Sequence, residues 1–194
     1  MVMLDSFEHG FNLKKSTSGL VTYSSQGFDG WTITELPTKR ESSNRVLRLQ
    51  WGSSENIEIF GLQTPVFRMN FAQGTLFVGD SLYVSLSSGN ENIDDPNISF
   101  QIRLTDSAGN TSTMHINDFG GVVNPIDAPI FTPLYLSFIG RSEPVLQMVR
   151  IPTEWFEGLQ GEIESMEWVM DIAEISRDGQ TLFVDDLRIG GRID

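Results

Sequence analysis

The chain of 194 residues contains no cysteine, so disulfide frameworks, thiolate catalysis and sulfur-ligated zinc are excluded. Lysine is nearly missing too: three occur, and 13 Lys and Arg together stand against 26 Asp and Glu, a formal net charge of −13. A surface this acidic repels phosphate backbones and anionic headgroups, so neither nucleic acid nor a membrane surface is an expected partner. Histidine occurs twice, as His9 and His115, with no H-x-x-x-H spacing for zinc. No apolar run nears the roughly 18 residues that span a bilayer, and the opening MVML is too short and uncharged for a signal peptide. Phosphate-binding glycine loops, dinucleotide fingerprints and the G-x-S-x-G nucleophile elbow are absent as well.

What is present is a series of short alternating runs separated by turn residues. Val46 to Trp51, Leu82 to Ser87, Ile98 to Leu104 and Thr111 to Ile116 alternate apolar and polar side chains, the pattern of half-buried strands. DSAGN, Asp106 to Asn110, reads as the loop of a hairpin joining the last two. Further strands are expected at Gly19 to Tyr23, Trp31 to Leu36, Ile57 to Phe60, Leu134 to Ile139, Leu146 to Ile151, Glu164 to Ile172 and Gln180 to Ile189. The one helical candidate is PTEWFEGL, Pro152 to Leu159, with Thr153 as a cap. So many short strands imply an all-β sandwich or barrel, and the length suits one domain over residues 1–194.

LFVDDLRIGG, Leu182 to Gly191, sets a problem within this pattern. Strict alternation sends Leu182, Val184 and Asp186 to one face and Phe183, Asp185 and Leu187 to the other, which puts one carboxylate under core. A buried carboxylate needs hydrogen bonds, an ion pair or a metal ion.

LQMVRIPTEWFEGL, MEWVMDI and G-x-x-x-x-V-D-D-L-R-I in the C-terminal third, together with LDSFEHG near the start, resemble the carbohydrate-binding modules with a galactose-binding-like jelly-roll fold. The resemblance implies two antiparallel sheets, adjacent first and last strands, and a non-catalytic accessory domain of a larger secreted protein, extracellular or periplasmic, that binds polysaccharide. It also implies a structural calcium ion at the joined ends, held by Glu8 and by Asp185 or Asp186, with Asp5 behind them; calcium takes oxygen ligands of this kind. The alternative is that Asp186 pairs with Arg188 or caps a turn while Glu8 is exposed. Glu91, Asp94 and Asp95 form another acidic group, but without the spacing of a calcium loop.

Alternation also marks an outer face. With Ile98, Phe100, Ile102 and Leu104 inward, Gln101 and Arg103 point outward, as do Tyr83 on its strand and His115 on another. Planar amide and guanidinium groups hydrogen-bond sugar hydroxyls and an aromatic ring stacks on a sugar's C–H face, so Tyr83, Gln101, Arg103 and His115 are the candidate ligand-binding residues on one sheet. Trp31, after a glycine turn, joins them from a loop rim, with Tyr23 and Tyr135 in reserve. Trp51 and Trp168 fall in phase with core residues, and Trp155 is expected to pack the short helix on the sheet. Two other readings stay open: a structural or protein-interaction sandwich without a sugar site, and a polysaccharide lyase or glycoside hydrolase, which would need a carboxylate pair or a His-Tyr-Arg set converging on one point.

Overall fold

The computed structural model describes residues 1–8, 15–16, 18–24, 31–35, 44–51, 64–89, 98–122, 126–127, 142–170 and 180–191. In chain order the strands are β1(Val2–Asp5), β2(Val21–Ser24), β3(Trp31–Glu35), β4(Arg45–Trp51), β5(Thr64–Phe71), β6(Ser81–Ser88), β7(Gln101–Asp106), β8(Thr111–His115), β9(Ile126–Asp127), β10(Ser142–Glu143), β11(Gln147–Pro152), β12(Ile163–Met170) and β13(Gln180–Gly190). They form a six-stranded sheet in the order β11-β6-β13-β4-β3, with β1 also on β13, and a five-stranded sheet in the order β2-β5-β12-β7-β8. A two-stranded ladder joins β9 and β10, and the strand pairs are antiparallel. From β4 onward the chain alternates between the two large sheets at most connections, which is the winding of a jelly roll. The expected architecture is the one observed.

The core fills the space between the sheets. Leu47, Leu49, Leu82, Val84, Leu86, Val149, Ile151, Leu182 and Val184 come from the six-stranded side. Opposite them, Phe67, Trp168 and Phe100 pack in a row, with ring centroids 5.4 and 5.2 Å apart, and Tyr23 stacks on Phe67 at 5.6 Å. Tyr23, a reserve ligand residue in the sequence reading, is therefore core, and its hydroxyl donates to Asp5 Oδ2 at 2.8 Å. Burial and the negative charge of Asp5 raise its hydroxyl's pKa far above the ordinary range. On β7 the alternation is regular, with Ile102, Leu104 and Asp106 buried. Asp106 is the anchor of the β7–β8 hairpin: Oδ1 accepts the N–H groups of Ala108 and Asn110, while Oδ2 accepts Asn110 Nδ2 and Gln160 N–H, all at 2.9–3.0 Å.

Several boundaries differ from expectation. β7 starts three residues late, although Ile98 and Phe100 are buried as the alternation requires. β5, a central strand, escapes the sequence reading because Pro65 punctuates its start; the proline is tolerated at a register irregularity opposite Trp168 and Val169. PTEWFEGL makes only a single 3-10 turn at Thr153–Trp155, with no side-chain cap. Thr153 is instead buried, its hydroxyl shared between the carbonyls of Phe77 and Asp80 (3.0 and 2.8 Å) while accepting Gly79 N–H at 2.9 Å. The strands expected at 57–60 and 134–139, and the acidic group of Glu91, Asp94 and Asp95, lie outside the described residues. No helix among the described residues is long and apolar enough to cross a membrane.

Candidate functional site

The outer face of the five-stranded sheet is built from the polar half of each alternation. Cross-strand register aligns Ser24, Arg68, Glu167, Arg103 and Thr113 in one row over all five strands. At its centre Glu167, only 8% exposed, meets a guanidinium on each side: Oε1 lies 3.3 Å from Arg68 Nη1 and Oε2 lies 3.4 Å from Arg103 Nη1. Arg68 is fixed further by Nε donating to Asn70 Oδ1 at 2.9 Å and Nη2 to Ser165 Oγ at 3.2 Å. Both guanidinium groups remain partly exposed, Arg68 more than Arg103. The next row places Gln101 between Val169 and His115. The result is a rigid platform of planar hydrogen-bonding groups whose orientation is set by the sheet.

Of the sequence-derived ligand residues, Gln101, Arg103 and His115 are brought together here. Tyr83 is not. It lies on β6 in the opposite sheet, between Arg150 and Arg188 in register, with its ring over Gly190, where a Cβ would come 2.6 Å from a ring carbon. The expected convergence of Tyr83 with Gln101 and Arg103 therefore fails, because alternation tells inward from outward but not which sheet a strand joins. Trp31 starts β3, also in the six-stranded sheet and opposite Leu49, rather than standing on a loop rim; Tyr135 lies outside the described residues. His115 serves the local structure. Its Nδ1 accepts Asn117 N–H at 3.2 Å, capping the 3-10 turn Ile116–Phe119, and Nε2 lies 2.7 Å from Ser99 Oγ. Arg68, Asn70 and Glu167 were missed. Their signal was the alternation in FRMNF and MEW, polar residues between core aromatics and methionines.

Glu167, the buried carboxylate of this face, is occupied by two arginines, while Glu164 on the same strand is exposed.

A second cluster forms where the chain ends meet. β1 pairs with β13, Met3 opposite Arg188 and Asp5 opposite Leu187. A bulge between Asp185 and Arg188 resolves the problem of the adjacent aspartates. Asp186 takes a left-handed conformation (φ 52°), so the extra residue shifts the phase, Leu187 returns to the core, and Asp186 is half-exposed instead of buried. Its Oδ1 pairs with Arg188 Nη2 at 3.0 Å. Asp185 is the buried one, accepting Asn44 Nδ2 at 3.1 Å and Asp186 N–H at 2.7 Å. Burial pushes its pKa up to about 6, helped by the nearby charges of Asp186 and Glu8 and opposed by the two hydrogen bonds. Glu8 accepts Arg45 N–H at 3.3 Å, and Asp5 is turned to Phe7 N–H and Tyr23. Among the described residues no three acidic or imidazole side chains converge as a metal cage; Glu8 and Asp185 are close enough for their charges to repel.

No family model and no curated protein sequence matches the chain. Among solved structures, an exo-β-agarase matches with a TM-score of 0.51 at 14% identity, over 100% of this chain and 25% of that one. A carbohydrate-binding module specific for non-crystalline cellulose matches at TM-score 0.48 and 15% identity, over 98% of this chain and 94% of its own. A module from Caldicellulosiruptor saccharolyticus, in complex with mannohexaose, matches at 0.46 and 11%, over 100% and 97%. At these identities the likeness is one of fold: the chain is a jelly-roll β-sandwich, spanning about a quarter of the length of the agarase that it resembles.

Proposed function

We propose that this chain is a non-catalytic carbohydrate-binding domain that holds polysaccharide on the outer face of its five-stranded sheet. The observation that carries this reading is the row Arg68–Glu167–Arg103, two partly exposed guanidinium groups locked by one buried carboxylate, with Gln101 beside them. Guanidinium and amide planes present paired donors and acceptors at fixed spacing, which suits the adjacent hydroxyls of a sugar ring. Because the sheet holds these groups in place before binding, little ordering entropy is lost when a ligand arrives. The fold likeness to a quarter of an agarase supports an accessory place within a larger protein acting on polysaccharide, outside the cell or in the periplasm.

The proposal extends to a structural calcium ion at the joined ends. Glu8 and Asp185 would hold it together with backbone carbonyls, while Asp186, paired with Arg188, is left out of the donor set. When bound, the ion would neutralise the two neighbouring carboxylates and tie β1 to β13.

Affinity electrophoresis through gels containing agarose, soluble cellulose derivative, mannan or xylan, with and without chelator, tests the reading. At least one polysaccharide should retard the protein, and Arg103→Ala should weaken the retardation about tenfold, the loss of one charged hydrogen-bonding group. No retardation by any of them would leave a structural sandwich instead. That second reading draws on the same ladder, since Glu167 already satisfies part of each arginine.

A further inference from the structure

The described outer face of the five-stranded sheet carries no Phe, Tyr or Trp, yet two such rings stand exposed elsewhere. Trp155 is 51% and Phe77 44% exposed; the other large exposed apolar side chains among the described residues are aliphatic. The two rings are linked through the backbone: Thr153, two residues before Trp155, donates its hydroxyl to the Phe77 carbonyl. Trp155 is also braced from beneath. Its ring stacks on Phe119 at 5.8 Å with an interplanar angle of 18°, and Phe119 stacks in the same way on Phe156, which is buried. Phe119 belongs to the 3-10 turn capped by His115, and Phe156 N–H donates to Thr153 O at 3.2 Å. An exposed indole with its ring plane fixed this firmly does more than pack a connector.

We propose that Trp155 is a second sugar-binding site, separate from the sheet face, that stacks on the C–H face of a neutral pyranose. The charge around it selects the ligand. Asp80, Asp118, Glu154, Glu157 and Glu162 lie on the segments 72–80, 116–122 and 153–163 that carry the rings, and those segments contain no Lys or Arg. A uronate or sulfated sugar is repelled, whereas the hydroxyls of a neutral one find acceptors. The inference rests on the carbohydrate-binding reading and adds a second point of attachment, which raises avidity for a polymer over an oligosaccharide that reaches one site only.

Titration calorimetry and tryptophan fluorescence with cellohexaose, mannohexaose, xylohexaose and agaro-oligosaccharides test it, comparing the intact chain, Trp155→Ala, Trp155→Phe and Arg103→Ala. The intact chain should show two binding events, and Trp155→Ala should weaken the second about tenfold through loss of one stacking contact while leaving the event at the sheet face unchanged; Trp155→Phe keeps most of the affinity of the second event and loses the ligand-induced change in emission. Trp155→Phe also covers the case in which the alanine variant fails to fold. A single binding event in the intact chain, unchanged in Trp155→Ala and lost in Arg103→Ala, would overturn the second site and leave the face intact. No binding of any probe by the intact chain would overturn both. Capture of polylysine in place of sugar, lost in Trp155→Ala, would likewise overturn it, since aromatic rings in an acidic rim also attract cations.

Discussion

Asp185 shows how one residue couples burial to pH. Its pKa is raised by desolvation to about 6, so the folded state keeps a proton that the unfolded chain has released. Stability therefore falls as pH rises from the ordinary carboxylate range to about 6, and the lost part does not return at higher pH. In chelator, a series of thermal melts should show this decline, and Asp185→Asn should flatten it; an unchanged slope would count against the assignment. Asp106 has the opposite sign, its pKa lowered first by the Asn110 side-chain hydrogen bond and further by backbone N–H groups. Its share of stability is present at neutral pH and is lost as pH falls below the ordinary carboxylate range. That VDDL needed special accommodation was visible from its composition alone. The means was not, because a bulge with Asp186 at positive φ arises from pairing with β6.

At the level of elements, the strands written as clean alternation, such as β6 and β7, are found nearly where the pattern puts them. β5 was masked by Thr64 and Pro65, although FRMNF behind them alternates as well as any other run. PTEWFEGL makes a shorter helix than its pattern implies because Thr153 is no local cap: its partners lie 73 to 76 residues away in sequence. Thr153→Val keeps the shape but removes all three hydrogen bonds: Gly79 N–H loses its acceptor, while the carbonyls of Phe77 and Asp80 keep the backbone N–H groups of Asp80 and Thr153. It should lower unfolding free energy by about 1–3 kcal/mol in urea titrations. A loss near zero would mean that the 77–80 turn holds itself without the latch.

For the whole molecule, the sequence resemblance implied adjacent ends and two antiparallel sheets, and β1 on β13 with the order of both sheets bears this out. The composition of the face was only partly legible. Gln101, Arg103 and His115 lie on neighbouring strands joined by a short hairpin, so local pattern sufficed. Arg68 and Glu167 are 99 residues apart, and Tyr83 belongs to the other sheet; both facts depend on how the jelly roll winds. A nuclear magnetic resonance titration of isotope-labelled protein with a bound oligosaccharide examines the face directly. The account predicts shifts at Arg68, Asn70, Gln101, Arg103 and Glu167, with a separate set at Trp155 and none at Tyr83 or Arg150. Shifts confined to the six-stranded sheet, with the Arg68–Glu167–Arg103 row silent, would contradict it.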